Sequence, residues 1–128
     1  MDYKLLAWGR WRGPPSASAA GARTLPRLWL FTDQTRLPDP RPAAIQLPVG
    51  KAGIVFRHDA ADDREQLGRD LARICKVRRL TLVVAGDARL AGHLRAGIHL
   101  RGGRWPCSLR PRGVVTSSAH SVAELRRA

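Results

Sequence analysis

Five short apolar runs, each closed by a polar residue or glycine and separated by helix signals, restrict this chain to one class of fold. Leu28-Trp29-Leu30-Phe31-Thr32 is rich in aromatic and branched residues and ends at Asp33, the pattern of a buried strand. Gly53–Arg57, Leu80–Ala85, Ile98–Leu100 and Val114–Ser117 repeat that pattern. Between the second and third runs, Asp62 and Glu65 have the spacing of a capping box, and Leu67, Leu71 and Ile74 follow at i, i+4 and i+7; this predicts an amphipathic helix. Its end is expected near Arg78-Arg79, where cations suit the negative end of the helix dipole. Asp87 is placed to cap a short helix carrying Leu90, Ala91 and Leu94, stopped by Gly97. Ser121 and Glu124 form a second capping box, opening a helix with Leu125. Pro38, Pro40, Pro42 and Pro48 forbid a long helix over residues 34–50 and leave one or two turns around Ala43–Leu47. Residues 103–112, with Pro106 and Pro111, read as loop.

Continuous apolar strands alternating with helices imply an α/β protein with a parallel sheet covered on both faces. Two closures satisfy the pattern, an open doubly wound sheet and part of a (β/α)8 barrel. Both put ligands at the carboxyl ends of the strands. Those ends carry Thr32-Asp33, Arg57-His58, Gly86-Asp87, Arg101-Gly102 and Thr116-Ser117-Ser118. Arginines, hydroxyls and glycines converging on one rim suit an anionic ligand, phosphate above all.

Residues 1–27 differ from the rest. Gly13-Pro14-Pro15 and the small residues 16–22 sustain neither strand nor helix periodicity, and the segment is basic; it is expected to be a flexible, low-complexity tail. The whole chain carries 23 Lys+Arg against 10 Asp+Glu, a formal charge of +13. Such a charge raises the question of nucleic acid. The basic residues, however, are almost all arginine, scattered, and nowhere longer than pairs such as Arg78-Arg79 and Arg126-Arg127. Aromatic residues make up 5%, so base-stacking platforms are few. Both facts argue against a nucleic-acid face and for an arginine-rich solvated surface. No apolar run approaches the roughly 20 residues that span a bilayer, and no apolar core of a secretory signal precedes the first strand; no membrane association and a cytoplasmic location are expected. Cys75 and Cys107 have neither disulfide-framework nor zinc-ligand spacing and are expected to be free thiols.

At three places the chain resembles the thiamine phosphate synthase and TenI-type family. Leu28–Asp33 is similar to its "YLITD" first strand. Ala96–Leu100 is similar to its "GADGVHLG" fourth strand, and TSSAHSVAEL over Thr116–Leu125 to its "GVSTHSLEEA" fifth strand and following helix. Order and spacing agree over residues 28–128. The resemblance implies a (β/α)8 barrel that joins a pyrimidine pyrophosphate to a thiazole phosphate. It implies a small phosphorylated heterocycle as ligand, Ser118 as a phosphate contact and His120 as the acid/base of a TenI-type tautomerase. Of the family's Gln-x-Arg-x-Lys second strand only Arg57 matches, Val55 and Asp59 standing at the other two positions. The family's magnesium carboxylates are not matched: Ala85-Gly86 stand where Asn-Asp is expected, Asp87 falls one residue late, and residues 101–104 hold two arginines and no acid. Magnesium is the family's cofactor, yet no metal ligand is assigned here, because oxygen-seeking Mg2+ is repelled by arginines, which themselves hold phosphate bidentately.

The expected site is therefore His120 as catalytic residue, with Arg57, Ser117, Ser118 and His99 binding phosphate. Arg57 also reads as an exposed rim charge and His99 as a satisfied core histidine; Ser121 and Glu124 read as helix caps. A full barrel takes about 200–250 residues and eight strands, so five strands in 128 residues give a partial TIM barrel whose open parallel edge offers a route to a homo-oligomer. The functional alternatives are a non-catalytic phosphate-ligand-binding relict and a basic nucleic-acid-binding protein.

Overall fold

A computed structural model of the chain describes residues 25–102 and 113–127. The segment expected as a tail, apart from residues 25–27, lies outside them, as do the loop expected over 103–112 and its Cys107. The described residues form an α/β fold. In chain order the elements are β1 (Leu28–Phe31), α1 (Arg41–Gln46), β2 (Ala52–Phe56), α2 (Arg64–Arg78), β3 (Thr81–Ala85), α3 (Ala88–Leu94), β4 (Gly97–Leu100), β5 (Val115–Ser117) and α4 (Val122–Arg127).

All four strand pairings are parallel and the sheet order is β1-β2-β3-β4-β5. This order decides between the two closures. A doubly wound sheet reverses its strand order at a switch point, whereas sequential right-handed crossovers place every helix on the same side. Helices α1, α2 and α3 therefore cover one face, and the strands curl into a half-barrel with that face outward. The expectation that helices cover both faces fails for this reason. The curl can be measured. Phe31 on β1 and His99 on β4 are three strand spacings apart, about 14 Å in a flat sheet, yet their rings meet edge to face with centroids 5.9 Å apart.

The period-two alternation along each strand sorts side chains between two cores. Outward, Leu30, Ile54, Phe56, Leu82, Val84, Ile98 and Leu100 pack on Ala44, Leu47, Leu67, Leu71, Cys75, Leu90 and Ala91 of the helical layer. Inward, Val55, Val83 and Ala85 pack with Trp29, Phe31 and Val114. Among the described residues no helix covers the inner face, which is buried by its own curvature. Two glycines make that curvature sterically feasible. The Trp29 ring occupies the space a Cβ on Gly53 would need, and the Val114 carbonyl oxygen occupies that of Gly97.

Local signals explain most element ends. The Pro40 N-cap and Pro42 in the first turn of α1 cost nothing, since those N–H groups have no intrahelical partner. Arg41 donates to Asp39 (2.8 Å) and to Asp70 of α2 (2.9 Å), fixing α1 on α2. The N-cap of α2 is Asp63, without a side-chain cap bond, one residue beyond the Asp62 expected. The helix stripe is Leu67, Leu71 and Cys75, with Ile74 beside it. Helix α3 does not wait for Gly97. It stops at Arg95 in the left-handed conformation (φ 52°), as α2 stops at Arg79 (φ 52°). Gly97 is instead a strand residue, required by its approach to Val114. Cys75 is a free thiol, buried against the core, and burial pushes its pKa up to about 12.

Candidate functional site

The carboxyl ends of the five strands meet at one rim, and a cleft of about 360 Å³ opens there, lined by Asp33, Gln34, Thr35, Arg57, Asp59 and Arg101. Its floor begins with a buried network under β1 and β2. Thr32 is fully buried; its Oγ1 accepts from the Arg57 backbone N–H (2.8 Å) and lies 3.0 Å from His58 Nδ1. His58 Nε2 lies 3.2 Å from the Pro38 carbonyl oxygen. A carbonyl only accepts, so Nε2 carries the proton, Nδ1 is the acceptor, and the Thr32 hydroxyl donates to it. His58, stacked on Phe56 (5.2 Å between centroids), thus clamps the loop after β1 and fixes where Arg57 leaves the sheet.

Arg57 projects over the Phe31 ring (5.6 Å to its centroid), a cation–π contact. It donates from Nε to the Thr32 carbonyl (3.2 Å), and its Nη2 lies 3.6 Å from Asp33 Oδ2. Asp33 is a built carboxylate: its Oδ1 accepts from the backbone N–H groups of Thr35 (2.8 Å) and Arg36 (3.0 Å). Those bonds, with the Arg57 charge, hold its pKa below the ordinary value. Gln34 Oε1 accepts from the Ala60 N–H (2.9 Å) and ties the loop after β1 to the loop after β2. Across the cleft, Arg101 at the end of β4 pairs with Asp59. Its guanidinium covers Gly86 at the end of β3, where a Cβ would lie 3.6 Å away.

His99 lies beneath the rim, 6% exposed. Its Nδ1 is 2.8 Å from Thr116 Oγ1 on the next strand. Burial first, then the positive charges of Arg57 and Arg101, push its pKa down to about 4. The ring is therefore neutral at physiological pH. It is a buried core histidine, one of the two readings its sequence context offered, and it does not line the cleft.

The remaining expected residues are more dispersed. Ser118 accepts from the Gly102 N–H on its Oγ (3.3 Å) and donates its own N–H to Leu100 O (2.9 Å), so it joins β5 to the end of β4. Ser117 Oγ donates to the Ser118 carbonyl (3.1 Å). Neither serine lines the cleft. His120 is exposed at the start of α4 and also stands outside the cleft lining. Its backbone N–H donates to Glu124 Oε2 (2.5 Å), while the Glu124 N–H donates to Ser121 Oγ (3.1 Å), so the Ser121 half of the second capping box forms as expected and Glu124 reaches back one residue further, to His120.

His99 thus lies near the two arginines but outside the cleft lining, which brings Arg57 together with Arg101, Asp33, Asp59 and Gln34. The last four were not singled out as site residues by sequence. Asp33 and Arg101 sit within two residues of a strand end, and Gln34 and Asp59 within three, which is the only sequence signal they carry.

The donor set does not suit the family's magnesium. Among the described residues no three His, Cys, Asp or Glu side chains form a group that could hold a metal. Asp87, the nearest match, accepts from the Leu90 N–H (2.9 Å) as N-cap of α3 and pairs with Arg64 (2.6 Å). An arginine covers Gly86. No helix among the described residues is long and apolar enough to cross a membrane. No family model, curated protein or solved structure matches this chain.

Proposed function

We propose that the rim binds a small phosphorylated molecule without a metal ion, as a thiamine phosphate synthase/TenI-like partial (β/α)8 barrel would after exchanging carboxylates for arginines. One observation carries this reading: two guanidinium groups from β2 and β4, each steered by a carboxylate, border a single cleft above a neutral histidine. Arginine binds phosphate through paired charge-assisted hydrogen bonds. Asp33 and Asp59 hold the guanidinium groups in place in the free protein, and an incoming phosphate would compete with them.

The transferase reaction draws no support from the donor set, since nothing replaces the metal on the leaving pyrophosphate. A thiazole tautomerase reaction needs only a phosphate grip and one proton-transfer group. His120 is the residue the resemblance offers; His99 is the one beneath the rim. With its Nδ1 engaged by Thr116, His99 would use Nε2, and a bound phosphate dianion would raise its low pKa toward neutrality.

Calorimetry of the full chain with a thiazole phosphate and with inorganic phosphate, with and without magnesium, tests the reading. We expect one-site binding independent of magnesium and lost in Arg57→Gln/Arg101→Gln. No heat and no thermal shift with either ligand would remove it. Asp59→Asn, which releases Arg101, should tighten phosphate binding about two- to fivefold, the scale of an exposed ion pair. His99→Gln against His120→Gln in a tautomerisation assay separates the two histidines.

A further inference from the structure

The opposite end of the half-barrel holds a second and larger concavity, of about 520 Å³. It lies where β3 and β4 begin and where α2 and α3 end, far along the strands from the rim. Leu25, Ala72, Cys75, Leu80, Leu82, Leu94 and Val114 form its apolar part. Arg73, Lys76 and Arg95 are its charged lining residues, and no carboxylate lines it among the described residues. All three cations are solvent-exposed, so they stand at its mouth. Arg73 makes one loose contact, 3.8 Å to Asp70. The volume is that of a small-molecule site.

An apolar hollow whose charged lining, among the described residues, is cationic is complementary to a molecule with an apolar body and an anionic head. We infer that this hollow binds a free single-chain carboxylate amphiphile of fatty-acid type, its chain over Leu80, Leu82, Leu94 and Val114 and its carboxylate among Arg73, Lys76 and Arg95. Burial of the chain supplies the affinity, at roughly 25 cal/mol per Å² of apolar surface, and the cations supply the choice of head group. The same cations also suit the negative ends of α2 and α3, so charge selectivity is the property to measure.

Decanoate, titrated into the full chain by calorimetry below its micellar concentration, should give saturable heat at one molecule per chain. Decyltrimethylammonium, with the same chain and the opposite charge, should give none. Arg73→Gln/Lys76→Gln, both exposed positions on α2, should weaken decanoate about five- to tenfold while leaving the circular dichroism spectrum unchanged and lowering the melting temperature by only a few degrees through the lost helix-end charge. Ala72→Asp, which puts a carboxylate into the lining, should abolish binding. Inorganic phosphate in excess should not displace decanoate, because phosphate belongs to the rim. Equal heats from both amphiphiles would overturn the inference. So would unchanged affinity in the double glutamine variant, displacement by phosphate, or binding to anionic vesicles in place of the free acid. A second copy of the chain seated in the hollow, seen as a dimer that decanoate fails to dissociate, would overturn it as well.

Discussion

Gly53 and Trp29 face each other on adjacent strands, and the indole ring fills the place of a missing side chain. The ring is held there by Nε1 donating to the Pro26 carbonyl (3.0 Å), so it has little freedom to give way. Gly53→Ala should therefore destabilise the protein by about 1–3 kcal/mol through overpacking, read as a lower urea midpoint with an unchanged slope. His99 makes a different prediction. Its pKa falls from 6.5 to about 4 on folding, so between these values the unfolded chain binds more protons than the folded one. Stability is then fully present above pH 6.5 and declines as the pH falls toward 4, by on the order of 3 kcal/mol for this residue. His99→Phe should lack that part of the decline when its urea midpoints are compared with the parent chain from pH 7.5 to 4.5; parallel curves would contradict it. Arg57 and Arg101 were legible as rim residues because strand ends are legible. The Arg101–Asp59 pair was not, since its partners lie 42 residues apart and only the curl brings them together.

Two capping boxes with the same three-residue spacing had different outcomes, and neighbouring residues explain why. Ser121 stands beside Ala119-His120, with no rival acceptor, and caps as read. Asp62 is followed by Asp63, and the helix starts one residue later, with the Asp63 carbonyl accepting from the Leu67 N–H (2.9 Å). A sequence that offers adjacent N-caps leaves the register open by one. Asp87 had no such rival and caps α3. Asp87→Ala removes that cap and leaves Arg64 without its partner, on a guanidinium whose Nε already lacks one among the described residues. The expected loss is about 1–2 kcal/mol, visible as a lower melting temperature. The helix ends were less legible. A left-handed stop signals glycine in a sequence, and here arginine takes that place at both Arg79 and Arg95. Replacing either with glycine should stabilise the chain by up to about 1 kcal/mol.

For the molecule as a whole, alternation of strands and helices gave the α/β class and the five strands, and strand order supplied the half-barrel. Order is not written in any one segment. It follows from how successive crossovers share a single face, which periodicity cannot distinguish from alternate faces. The last strand and helix leave Val115, Val122 and Leu125 exposed at 45–66%, beside the β5 edge, which pairs with no further strand among the described residues. Self-association through this edge is expected, with Val115→Lys shifting the sedimentation of a concentrated sample toward the single chain. The +13 charge opposes such contacts at low salt, so association should strengthen as salt screens it.

The Phe31–His99 contact gives the half-barrel a built-in gauge. Each aromatic ring shifts the magnetic resonance of nuclei above its face and at its edge in opposite directions. The two rings stand at 90° on strands β1 and β4, so the chemical shifts of the His99 ring protons encode how tightly the sheet is rolled. Any ligand or neighbour that flattened or tightened the roll would register in that one pair of resonances.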